Sequence, residues 1–221
     1  MDIVELYNLA LDTVGARADI SLPSENSREA EVCNLWYPNI RDAVLASAPW
    51  PEATKMARLA QSAIQDDDSW IDGEPRPDLG YSFATPADLI RPQYFSDYSP
   101  FSVQSFGASD RAIMTNSSSP ILIYTFRQTQ INTWSPDLQM AIMQGLAARI
   151  CMPLTGKPSR AKVLIEQANE LIMQARETAA NINNEQLDSI PDWISARGFT
   201  GNSNQQRFFY PFGALLGANV S

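Results

Sequence analysis

Three stretches of this 221-residue chain come near a pattern that could do chemistry. Asp66, Asp67 and Asp68, with Asp72 and Glu74 close behind, bring carboxylate oxygens of the kind that hold a divalent cation. The run lacks the spaced ligands, central glycine and closing glutamate of an EF-hand loop, so a solvated acidic loop is the simpler account. Leu154-Thr155-Gly156-Lys157-Pro158-Ser159 matches the end of a phosphate-binding loop at its glycine and lysine. The first glycine of that motif would fall at Cys151, and Pro158 stands where Ser or Thr is needed, so Gly156 reads as a helix terminator. Lys157, Arg160 and Lys162 form the one local cluster of bases, and three charges in an acidic chain read as a solvated face rather than a grip on nucleic acid. A pair of carboxylates could run glycoside hydrolysis, but nothing in the sequence singles out a pair at the required separation.

The composition closes other routes. The chain has no histidine, which excludes Ser-His-Asp and Cys-His nucleophile systems, histidine metal sites and histidine proton shuttles. Its two cysteines, Cys33 and Cys151, lack CxxC spacing and each sits in an apolar helical pattern, so both are expected to be buried free thiols. Sixteen Lys and Arg face twenty-five Asp and Glu, for a net charge of −9. Such a surface is unsuited to wrapping a phosphate backbone. The acidic N-terminus has no basic leader region, and no long uninterrupted apolar run is present, so neither a signal peptide nor a membrane span is expected.

The elements that would position these residues follow from periodicity. Ile3, Leu6, Tyr7, Ala10, Leu11 and Val14 share one helical face, with Gly15 as the stop. Asn26 or Ser27 caps a second helix, with Glu29 completing a capping-box pattern from Asn26. Pro38 inside it is expected to kink the helix or start a new segment. Residues 51–60 read as extended or as a short helix, and 61–80 as an exposed loop carrying six acids against the single base Arg76. Residues 81–134 are rich in Tyr, Phe, Ile, Ser and Thr, with Ile121-Leu122-Ile123-Tyr124-Thr125-Phe126 the most β-prone run, and predict a small antiparallel sheet. Ser135 and Pro136 open a third helix that Pro153 and Gly156 end, and 158–182 is the longest helix. The fold class expected is α+β, mainly α. Its helical core comes from 1–60 and 135–184, with 61–134 as an acidic loop plus β-rich insertion and 185–221 as a C-terminal extension. That extension carries Trp193, Phe208, Phe209, Tyr210, Phe212, Leu215 and Leu216, which either fold back onto the core or enter a partner. These seven are the candidate interface residues.

The order of elements and a series of short strings together resemble one family, the head-to-tail adaptors of short-tailed bacteriophages, also called tail tubular protein A. The strings are Asn8-Leu9-Ala10-Leu11, Val14-Gly15-Ala16, Ile20-Ser21-Leu22 and Ser27-Arg28-Glu29-Ala30, then Cys33, Trp36-Tyr37 and Arg41-Asp42-Ala43-Val44-Leu45. Pro49-Trp50, Ala53-Thr54-Lys55 and the stretch from Tyr81-Ser82-Phe83-Ala84 through Thr85-Pro86-Ala87 to Asp88-Leu89-Ile90-Arg91 follow. Ala147-Ala148-Arg149-Ile150, Pro153-Leu154-Thr155-Gly156 and Ala175-Arg176 complete the series, which spans residues 3–183. The resemblance implies a structural protein of the virion, located at the head–tail interface and assembled in the host cytoplasm, with no catalytic centre and no cofactor. It implies a dodecameric ring under the portal protein that continues the DNA channel and docks the tail nozzle protein. Other virion neck or head-completion proteins, and a tail glycosidase using carboxylates alone, are the alternatives. Double-stranded DNA sliding through such a channel must not be held by counterion release, which favours an acidic or mixed lumen. Residues 81–221 balance ten acids with ten bases, so the negative excess lies in 1–80. Either part of that surface, including Asp66, Asp67, Asp68, Asp72 and Glu74, faces the channel, or it serves solubility alone.

Overall fold

The computed structural model describes residues 1–16, 19–61, 79–106 and 110–182. Among them are four helices, α1 (Ile3–Val14), α2 (Arg28–Ser47), α3 (Pro136–Thr155) and α4 (Pro158–Ile182). Between α2 and α3 come six strands: β1 (Thr54–Arg58), β2 (Tyr81–Ala84), β3 (Leu89–Phe95), β4 (Phe101–Phe106), β5 (Asp110–Thr115) and β6 (Ile121–Phe126). The fold is α+β and mainly α, a helical core with antiparallel β structure inserted in the chain, as its periodicities predict.

Cap chemistry sets the helix limits. Asp2 and Glu5 make a reciprocal capping box on α1, each side chain bonding the other's backbone N–H at 2.7 and 3.0 Å. Gly15 closes α1 and Gly156 closes α3, both at positive φ, where a Cβ would be strained. Ser27, not Asn26, caps α2, and Ser135 caps α3 ahead of Pro136. Of the alternatives at Pro38 a new segment is not seen, and α3 runs through Pro153 to Thr155, ending at Gly156 as expected. A proline removes the bond to the carbonyl four residues back, here Asn34 and Arg149. Both residues are exposed, so the lost bond falls on the solvent side of each helix.

α3 is the axis of the bundle and packs against α1, α2 and α4. It is buried without interruption from Ala141 to Ala148, because helices cover it on several sides. Leu6, Leu11, Leu45, Leu138, Ile142 and Leu146 lie at the centre of its core. At Gly145 a Cβ would come within 2.9 Å of Ile40 Cγ2, so any larger residue would push the Ile40 side chain aside.

The strands form two three-stranded antiparallel sheets, ordered β1-β6-β3 and β2-β5-β4, rather than one. Phe83, Phe95, Ile113, Leu122 and Tyr124 from the two sheets, with Leu59 just after β1, bury one shared cluster. Phe95 of β3 meets Phe101 of β4 edge-on at 5.2 Å between ring centres. Residues 54–58, read from sequence as extended or helical, are the edge strand β1, paired with β6 from Thr54↔Thr125 to Arg58↔Ile121.

Candidate interaction surface

Three surfaces outside the core merit attention. The first is an open groove of about 170 Å³ along α3, walled by α2 and α4. Its floor is Gly145 and Ala148, and its walls are Ile40 and Val44 on one side and Ile165, Ala168 and Ile172 on the other. The small floor residues sink the groove, and the isoleucines make it apolar. Ile165 is 42% exposed and Met173, beyond the rim, 60% exposed. At one end the Arg149 guanidinium lies over the Trp36 ring at 6.0 Å.

The second surface is the outer face of the β1-β6-β3 sheet. Met56, Ile123 and Tyr94 stand in one row across it, Ile123 being directly opposite the other two. Ile123 is buried, while Met56 is 63% exposed. Tyr98 stacks on Tyr94 with ring centres 5.6 Å apart and planes only 4° from parallel. Tyr98 holds φ +54°, a strained conformation for a bulky side chain, in a turn where its N–H donates to the Phe95 carbonyl.

The third is a polar cleft of about 500 Å³ lined by Met1, Asp2, Tyr37, Arg41, Ile131 and Asn132 among others. Arg41, 8% exposed, lies over Tyr37 at 5.6 Å and bonds Asp42 at 2.7 Å. Asp42 also accepts from Arg127 Nε at 2.9 Å. One carboxylate thus satisfies two guanidinium groups, which accounts for the burial of Arg41.

The groups near this cleft that could react are held protonated. Burial, with the Glu29 charge adding to it, pushes the Cys33 thiol up to about 12. Burial also raises the Tyr7 and Tyr37 phenols above their usual value. The Tyr7 hydroxyl donates to Asn34 Oδ1 at 3.0 Å. Thiolate nucleophilicity is closed to Cys33 in this setting, and both Cys33 and Cys151 are buried free thiols, as expected. Among the described residues, no group of three or more His, Cys, Asp or Glu side chains is placed to hold a metal ion.

In the β half, burial pushes the Asp88 carboxyl up, but hydrogen bonds from Lys55 Nζ and the Tyr124 hydroxyl, with the Lys55 charge, outweigh it and hold the group below its usual value. Burial first, and then Asp88, raise the Tyr124 phenol to about 12.

Arg160 proves to be structural. Its Nη2 donates to the Thr13 carbonyl at the end of α1, at 2.8 Å. Arg28 Nη2 does the same for the Pro153 carbonyl at the end of α3, and Arg91 Nη1 for the Ala46 carbonyl at the end of α2. None of these three helices has a base in its own last turn, so each borrows a cation from another element for its negative end.

The sequence-based candidates Trp193, Phe208, Phe209, Tyr210, Phe212, Leu215 and Leu216 lie outside the described residues, as do Asp66, Asp67, Asp68, Asp72 and Glu74. What sequence reading missed is the groove. The sequence carries one signal for it, the small residues Gly145 and Ala148 of its floor, while the walls come from two helices distant in sequence. No helix among the described residues is long and apolar enough to cross a membrane. The chain matches no protein-family model and no curated protein.

Proposed function

We propose that this chain is a structural head-to-tail adaptor of a phage particle. Copies of it form a ring under the portal protein, continue the DNA channel and dock the tail nozzle protein. The observation that carries the reading is the open apolar groove between α2 and α4. Apolar side chains such as Ile165 face solvent in the single chain, and covering them by association is favourable.

The strings behind the family resemblance support the same reading through the work they do. Val14-Gly15-Ala16 and Pro153-Leu154-Thr155-Gly156 are helix ends. Ser27 and Arg28 cap one helix and clasp the end of another. Pro49-Trp50 leads α2 into the strands, with Trp50 Nε1 donating to the Val44 carbonyl at 2.9 Å. Asp88 and Arg91 tie the β half together and to α2. These are the joints of the fold, which is where strings shared with a family of common architecture would fall.

The test is co-purification with the portal protein of the particle, followed by electron microscopy of the complex. A ring of this chain seated on the portal is the expected result. Failure to associate with the portal would overturn the reading in favour of another virion neck or head-completion protein. Double-stranded DNA should not be retained at physiological salt, and retention would contradict a free-sliding channel.

A further inference from the structure

We infer that the groove between α2 and α4 receives the apolar segment 208–216 of a second copy, so that each subunit is clasped by its neighbour. The inference rests on the ring-adaptor reading and names the contact that closes the ring. The groove, about 170 Å³, is largely apolar, with Ile40 and Val44 on one wall and Ile165, Ala168 and Ile172 on the other, and Ser47, Arg149 and Asn169 also in its lining. Residues 208–216 supply apolar anchors, with Phe208, Phe209, Tyr210, Phe212, Leu215 and Leu216 in one stretch and no charged residue among them. The two surfaces are therefore matched in chemistry and different from each other, as a head-to-tail contact that closes into a ring requires.

Chain length permits the clasp. α4 carries the backbone about 15 Å past Ile172 before it ends at Ile182. About 25 residues then precede Phe208, enough to span some 80 Å when extended, well beyond the width of one subunit of this size.

The test uses full-length protein at concentrations where it is monomeric, with a fluorescent synthetic peptide of residues 206–217 as probe. A clasp between copies leaves the groove empty in the monomer. Wild type and a Phe212→Glu/Leu216→Glu double variant should then bind the peptide equally. Ile165→Glu should weaken binding at least about tenfold, and because Ile165 is 42% exposed the substitution is compatible with folding. Met173→Glu, outside the groove lining, should bind as wild type does and controls for added charge. Peptide binding by the tail variant but not by wild type would mean that each chain fills its own groove, and would overturn the inference. Absence of peptide binding to any form would overturn it as well. Portal association by wild type in either of those cases would leave the adaptor reading standing, whereas peptide binding without portal association would remove that reading alone.

Discussion

In the helical half of the molecule, arginines reach from one element to the carbonyl end of another, Arg160 to α1, Arg91 to α2 and Arg28 to α3. In the β half, a short carboxylate network at the rim, Lys55–Asp88–Tyr124, lies beside a small buried cluster. The bundle spreads its stability over a large core wrapped around α3, while among the described residues the two sheets share a smaller buried cluster. A small core makes each of its members a larger share of the total. It also makes the β half the part expected to open first, since both its chain connections run into the bundle.

The largest effect should come from the cores. Leu122→Ala removes a fully buried side chain from the sheet cluster and should cost about 2–5 kcal/mol locally. Hydrogen exchange should then show the strands losing protection while α3 keeps it. Leu146→Ala, of similar cost, should lower protection in both halves. Equal loss everywhere from both variants would mean that the two halves unfold as one unit and would break the comparison.

Next come the borrowed cations. Arg91→Met should cost about 1–2 kcal/mol, because its bond is partly buried and joins β3 to α2. Arg28→Met and Arg160→Met, at exposed bonds, should cost about 0.5–1 kcal/mol each. Denaturant melts of the three variants check the order, and a reversed order would show that the joint between the halves is the weaker one.

The smallest effect is that of pH on the β rim. The folded Asp88 carboxyl titrates below its unfolded value of 3.8, so its contribution is full above that value and is lost as pH falls through the lowered folded one. The pair is partly exposed, so the contribution is about 0.5 kcal/mol or less. Asp88→Asn should flatten the stability–pH curve between about pH 5 and 2. An unchanged slope would assign acid sensitivity to other carboxylates.

Much of this architecture was legible in the residues themselves. The period of α1, the Ser135-Pro136 start of α3, the Gly15 and Gly156 ends and the full span of α4 are local signals that the structure repeats. The Asp2–Glu5 capping box has the same i, i+3 spacing as the Asn26–Glu29 pattern and is an equally local signal, which the sequence reading passed over. Pro38 starts no new segment, which the sequence alone leaves open because it does not say which face of a helix meets water. Strand β1, Thr-Lys-Met-Ala-Arg, has no strong alternation of its own and becomes a strand through its partner β6, far along the chain. The division into two sheets and the groove between α2 and α4 likewise depend on partners distant in sequence.

On this reading the groove is an assembly surface rather than an exposed piece of core. Light scattering of the portal complex, formed with wild type and with Ile165→Glu, tests it most directly. The account predicts a ring of subunits on the portal for wild type, and a folded Ile165→Glu protein, unchanged in thermal stability, that fails to complete the ring. A complete ring of Ile165→Glu subunits would contradict it.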